Sequence, residues 1–135
     1  MRRADKYLIQ YDILLSYLVL YNTIGGKIIK KGERIIMPNA IWFISYKLKK
    51  DVSVEDFLLA SEKCHDEVLS KQRGFISWEV LRDGDTWVDL VKWETVEDAQ
   101  NGETAGGNNP ASHEFYSFIN MDSCKLQLYS VEKSH

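Results

Sequence analysis

Cysteine is scarce in this 135-residue chain: Cys64 and Cys124 are the only two, and they lie far apart. They form no CxxC or Cys/His spacing of the kind that builds a zinc site, so no metal is expected. Two separated thiols are expected to stay free, as in the reducing cytoplasm. Basic runs are thin as well. The formal net charge is −3, and no Lys/Arg cluster makes a phosphate track, which argues against a nucleic-acid partner. Long apolar runs are missing. Ile13 to Leu20 is the most apolar stretch of the N-terminal region, far short of the roughly 20 residues a bilayer span needs, so no membrane partner is expected. The glycines of "NGETAGGNN" (101–109) have no phosphate-loop spacing and follow no strand, which argues against nucleotide binding. No Ser/His/Asp order or Cys/His nucleophile is recognisable, and nothing calls for a flavin or other cofactor.

Aromatic residues, by contrast, are plentiful. Four Trp, seven Tyr and five Phe exceed what a core of this size needs, and aromatic side chains also line ligand cavities and dimer interfaces. The chain changes character at "KGERIIMPNA" (31–40). Residues 1–36 read as an N-terminal extension ahead of a domain spanning 37–135. Their basic start and short apolar middle loosely resemble a signal peptide, but no small-x-small cleavage site follows; an extra packed helix is another reading. The run Lys31 to Met37 can also be encoded by a purine-rich ribosome-binding sequence followed by ATG. We therefore expect Met37 to be the natural start, a hypothesis that the intact mass of the native protein tests. A species beginning at Met1 would end it.

From Asn39 the pattern is regular. "AIWFISYKL" (40–48) is β-branched and aromatic and predicts a strand. Residues 53–74 predict a helix, with Ser53 and Asp56 as a capping pair and Gly74 as the stop. Val54, Phe57, Leu58, Ser61, Cys64 and Val68 recur on its buried stripe. Strands 75–82 and 86–94 flank an Asp-Gly hairpin turn. A second helix starts at Thr95, capped with Asp98, and is expected to break at 101–109 into a loop near a cleft mouth, because Gly102, Gly106 and Gly107 each cost backbone entropy. Asn109-Pro110 restarts it, and 124–132 alternates as a last strand. The order β-α-β-β-α-β predicts an α+β, ferredoxin-like fold, a four-stranded antiparallel sheet with helices on one face. Trp42 and Ile44 lie opposite Ile41 and Phe43, and Trp78 and Val80 opposite Phe75 and Leu81. Both faces are thus apolar, and a homodimer pairing the open faces into a dimeric α+β barrel is expected.

The segment "GFISWEVLRDGDTWVDLVKWETVEDA" (74–99), above all Trp93 and the acidic run Glu94 to Ala99, resembles the antibiotic-biosynthesis-monooxygenase-like group of dimeric α+β barrel proteins, over residues 40–131. The resemblance implies a ligand cleft between sheet and helices, lined by the first strand and second helix. Many members carry a His about eight positions after the strand-ending Trp; here Asn101 stands there. A second His often appears later in that helix, and His113 matches it. The haem-degrading subgroup has an Asn, a Trp and a His, where this chain offers Ser45, no Trp and His113, which counts against haem degradation.

Three residues are candidate acid–base groups. His113 has a near-neutral reference pKa. Glu79 and Asp89 sit on hairpin strands among apolar residues, where burial would raise a carboxyl pKa. Strand parity groups Asp89 with Trp87, Val91 and Trp93 but leaves open which face meets the cleft. Phe43, Ser45, Trp93, Phe115 and Phe118 are candidate substrate contacts, with Tyr46, Trp78 and Trp87 as further hydroxyl or stacking groups. Each has a plainer reading: a solvated helix histidine, a sheet-edge charge, core filler. The expected function is a cofactor-independent monooxygenase-like enzyme acting on a small aromatic or quinol molecule. The alternative is a non-catalytic small-molecule-binding or structural homodimer of the same fold.

Overall fold

Asp83-Gly84 turns the chain as its sequence requires: Gly84 takes φ 63°, a left-handed conformation that costs glycine little. The turn joins β2 (Phe75–Asp83) to β3 (Thr86–Trp93) in a computed structural model that describes residues 37–135. Asn39–Ser130 forms the compact unit that carries the fold. The expectations for residues 1–36 lie outside the described residues.

The remaining elements are β1 (Ala40–Leu48), α1 (Val54–Glu67), α2 (Val96–Ala105), α3 (Pro110–Ser117) and β4 (Ile119–Ser130). The strands form one sheet in the order β2-β3-β1-β4, with every pairing antiparallel. This is the expected ferredoxin-like order. The expected caps form. The Ser53 hydroxyl accepts from the Asp56 amide at 3.1 Å, Thr95 Oγ1 from the Asp98 amide at 2.9 Å, and Asn109 Oδ1 from the Ala111 amide at 2.8 Å. Each bond satisfies one of the donors that a helix start leaves open.

One sheet face packs under the helices. Tyr46, Trp87 and Ile119 from the strands meet Phe57, Cys64 and Val68 of the first helical segment and Ala111 and Phe115 of α3. A second cluster joins Ala40, Trp42, Val91 and Trp93 to Leu69 and Ala99. Phe57 is fully buried, touching Trp87, Phe115 and Phe118; burying such a side chain stabilises by about 1.5–3 kcal/mol. The opposite face follows the alternate parity: Ile41 and Phe43, then Val88 and Leu90, then Leu81 and Tyr129, with Lys92, Lys125 and Gln127 around them. Phe43, Leu81 and Tyr129 are exposed. This face is apolar in the middle and polar at the β4 edge.

Five expectations need correction. The first helix ends at Glu67, followed by a 3₁₀ turn at Leu69–Lys71, so Gly74 does not cap it; at φ 78° it starts β2. Leu58 is exposed rather than part of the buried stripe, and Ala60 takes that place. The helix beginning at Val96 does not break at Asn101 but runs to Ala105. Its glycine is there for close approach: a Cβ at Gly102 would stand 2.3 Å from the ring of Trp93. Finally, a register shift between Phe75 and Ser77 brings Phe75 to the helix side, against Trp93 at 5.8 Å. A bulge inverts the parity that simple alternation assigns. The last strand also begins earlier than expected, at Ile119.

Candidate functional site

β4 is irregular where it matters. Along β1, Lys47 pairs with Asn120 but Ser45 pairs with Lys125, so residues 121–124 bulge opposite Tyr46. Ser123 closes the bulge: its Oγ donates to the Asn120 carbonyl at 2.6 Å and accepts from the Lys47 amide at 2.9 Å. Met121 and Cys124, carried by this bulge, help to line a cavity of about 240 Å³ between sheet and helices. Trp42, Ile44, Trp78, Asp89 and Val91 form its sheet side. Cys64, Val68 and Leu69 with α2 and α3 form its helical side, the latter through Gly102, Ser112, Phe115 and Tyr116. The exposed wall residues Glu103, Tyr116, Met121 and Leu126 mark the mouth.

Asp89 is the charged group in the depth of this cavity, 3% exposed. Its cross-strand neighbours are Ile44 and Val80, and Trp87 and Val91 share its face of β3. Apolar and aromatic side chains exclude most of the water around it, which disfavours the carboxylate. Burial accordingly pushes its pKa up to about 7, against the opposing effect of two donors, Tyr46 and Trp78. Tyr46 OH donates to Asp89 Oδ1 at 2.8 Å. The phenol is itself driven far up by burial and then by the neighbouring carboxylate, so it remains a donor throughout the working range. The Trp78 indole N–H lies close enough to favour the charged form without closing a hydrogen bond.

The remaining polar wall is quiet. Burial raises the pKa of both Cys64 and Cys124, so these thiols are neutral and weakly nucleophilic. Ser112 Oγ has a weak contact with Cys64 Sγ at 3.9 Å. Among the described residues, no three His, Cys, Asp or Glu side chains gather as metal ligands would, and no helix is long and apolar enough to cross a membrane.

Of the candidate residues, the structure brings Asp89, Phe115 and the stacking candidate Trp78 to the cavity. Phe115 stacks on Phe57 at 5.3 Å and meets Trp78 edge-on at 5.2 Å. His113 is exposed on α3, its Nε2 held 2.8 Å from the Gly107 carbonyl oxygen, and it is not among the wall residues. Glu79 pairs with Leu90 on the open face, where Phe43 and Ser45 also lie by the same alternation. Trp93 is fully buried and braces the wall residues Trp42 and Gly102 from behind. Phe118 packs in the core against Phe57 at 6.1 Å. The "NGETAGG" tract does reach the cavity through Gly102, Glu103 and Gly106, as ordered helix rather than loop. Sequence reasoning passed over Trp42 and Ile44, whose shared parity with Tyr46 was visible. It also passed over Met121 and Cys124, whose bulge carries no sequence signal.

A four-stranded antiparallel sheet roofed on one face by helices, with a cavity between the layers, defines the class: the chain has the fold of the antibiotic-biosynthesis-monooxygenase-like proteins. Solved structures with this fold include SnoaB, a cofactor-independent oxygenase from Streptomyces nogalater, at 11% identity and TM-score 0.59, covering 73% of this chain and 97% of that one. A Bordetella bronchiseptica protein, provisionally named an antibiotic biosynthesis monooxygenase, aligns at 14% identity and TM-score 0.55, covering 67% and 95%. One from Nitrosomonas europaea with the same provisional name aligns at 13% identity and TM-score 0.54, covering 73% and 96%. No family model and no curated protein matches the chain. At these identities the likeness establishes the fold, and activity is a separate question.

Proposed function

We propose that this domain is a cofactor-independent monooxygenase-like enzyme that oxidises a small hydroxylated aromatic substrate, with Asp89 as its base. The observation that carries this reading is a single carboxylate buried in an aromatic cavity, with its pKa raised to about 7. Such a group is charged often enough near neutrality to accept a proton and basic enough to hold it. Taking the proton from a phenolic O–H or an activated C–H leaves an electron-rich anion. That anion gives one electron to dioxygen, and the two radicals recombine. Recombination forms a C–O bond at a carbon that still bears hydrogen and gives a peroxide. Loss of that carbon's C–H proton supplies the electron pair that breaks the O–O bond. One oxygen atom thus stays in the product as a carbonyl, and the other leaves as water with the two protons the substrate has lost. SnoaB, which shares the fold, is a cofactor-independent oxygenase. A binding protein without turnover is the second reading, favoured by His113 and Glu79 lying away from the cavity walls.

Oxygen uptake measured with hydroxylated arenes tests the proposal. Turnover should require dioxygen and rise with pH to a plateau above about 7; turnover that persists without oxygen would contradict it. Tyr46→Phe removes a donor that favours the Asp89 carboxylate. It should therefore move the rise to higher pH, with the plateau less affected.

We also propose that two copies pair through the open sheet face, where Ile41, Phe43, Leu81, Val88 and Leu90 make an apolar centre inside a polar rim. Interfaces are built this way. Phe43→Glu should convert the dimer to a monomer in sedimentation experiments; an unchanged dimer would place the contact elsewhere. The two free thiols fit a reducing compartment, and we place the protein in the cytoplasm.

A further inference from the structure

The indole nitrogen of Trp78 is buried and has no hydrogen-bond partner among the described residues, although Trp78 stands in the cavity wall with Asp89. A buried N–H without an acceptor is costly to keep. The strand register accounts for its place. Asp89 pairs with Ile44 on one side and with Val80 on the other. Tyr46 is two positions along β1 from Ile44, and Trp78 is two positions along β2 from Val80. Residues two apart on a strand share a face, and long or aromatic side chains reach such diagonal neighbours. The carboxylate is thus flanked by a phenol from one adjacent strand and an indole from the other. The phenol bond is closed, at 2.8 Å, and the indole bond is open. Phe115 meets the Trp78 ring edge-on at 5.2 Å, which leaves the ring a small turn and no more.

We propose that Trp78 is a positioning residue for Asp89: its indole N–H closes onto the carboxylate while that group is charged and lets go when a proton arrives. This rests on the reading that Asp89 is the base, and it adds how the base is aimed. Tyr46 holds Oδ1 in either state. The anion alone draws the second donor strongly, because a hydrogen bond to a charged acceptor is about twice as strong as one to a neutral acceptor. Held from both adjacent strands, the charged carboxylate cannot rotate away from the cavity. No Lys, Arg or His among the described wall residues could do the same. Tyr46 of β1, Cys64 of α1, Tyr116 of α3 and Cys124 of β4 all feel the charge of Asp89, and burial raises the pKa of each. Glu103 of α2 is exposed at the mouth. Arg82 of β2 lies over Trp87 at 4.9 Å, outside the wall, and Lys92 of β3 is on the open face.

Proton–nitrogen correlation spectra of the full chain, labelled at tryptophan and followed through neutral pH, test the inference. Trp42, Trp78, Trp87 and Trp93 each give one indole signal, and Trp78→Phe identifies its own by deletion. We expect the Trp78 indole proton to move downfield as pH rises, with the same midpoint as the Asp89 carboxyl. Trp93 is the control: its indole nitrogen is also buried and unpartnered, but it is outside the wall, so its signal should stay still. In Asp89→Asn the Trp78 signal should lose its pH dependence, which separates Asp89 from Glu103 as the source. In Trp78→Phe the Asp89 midpoint should rise by about one pH unit, a tenfold gain in proton affinity, and the pH at which turnover rises should move with it. A Trp78 signal that stays fixed while Asp89 titrates overturns the inference, as does an Asp89 midpoint unmoved by Trp78→Phe. If that variant does not fold, the signal is assigned from its contacts with Phe115, and the unmodified protein and Asp89→Asn decide alone. A titrating indole in a protein that consumes no oxygen keeps the pair and removes the oxygenase reading. Oxygen-dependent turnover with a fixed indole does the reverse.

Discussion

Asp89→Asn should lower the oxygen-dependent turnover of a bound hydroxyarene by roughly 10²–10⁴-fold, the range expected when a positioned base is removed. The side chain keeps its size, so the variant should fold and still bind apolar ligands. The Tyr46 hydroxyl keeps an acceptor, because the amide oxygen can replace Oδ1. The change removes the charge and the basicity and little else. Stability should respond in the opposite direction from activity. Between the ordinary aspartate value of 3.8 and about 7, the folded protein holds a proton on Asp89 that the unfolded chain has released. Stability therefore falls as pH rises through that window and levels off above it. Asp89→Asn cannot titrate, so denaturant midpoints of the two proteins should diverge in favour of the variant from pH 4 to pH 7. Parallel curves, or a variant with wild-type turnover, would remove Asp89 from the proposed chemistry.

Gly102→Ala should destabilise the domain by about 1–2 kcal/mol, although alanine is the better helix former. Two effects compete. Replacing glycine inside α2 gains up to about 1 kcal/mol of helix propensity. Against it, the new Cβ would stand 2.3 Å and 2.8 Å from two ring carbons of Trp93. Trp93 has no room to retreat: it is fully buried, with Trp42 at 4.8 Å and Phe75 at 5.8 Å. Relieving such an overlap costs about 1–3 kcal/mol, so the clash outweighs the propensity. Urea denaturation of both proteins measures the difference. A more stable variant would show that α2 can lift off the sheet at little cost, and would undo the account of why this helix carries a glycine.

The same residue shows what was legible in the sequence. Local signals worked where the physics is local. The caps at Ser53, Thr95 and Asn109 and the Asp-Gly turn are decided within a few residues, and all formed. The element order then left few topologies, and the sheet order β2-β3-β1-β4 followed. Gly102 misled because its cost is local while its reason is a tryptophan brought there by the tertiary fold. Phe75 misled because a bulge shifted its parity, and the β4 bulge at 121–124 was invisible for the same reason: pairing register depends on the partner strand. In the site, alternation placed Asp89 with Trp87, Val91 and Trp93 but could not say which face the helices cover. Tyr46 and Asp89 are 43 positions apart and meet diagonally across the β1–β3 ladder, a contact that only the register Ile44↔Asp89 and Tyr46↔Trp87 reveals. His113 drew attention through its chemistry and family position, yet its ring nitrogen is held beside the Gly107 carbonyl.

The direct measurement is the titration of the Asp89 side-chain carboxyl itself, followed by carbon-detected NMR on selectively labelled protein. We expect a midpoint of about 7, moving upward in Tyr46→Phe. A midpoint near the ordinary value of 3.8 would mean that water or a cation reaches this carboxylate, and that the cavity has no base of the kind proposed.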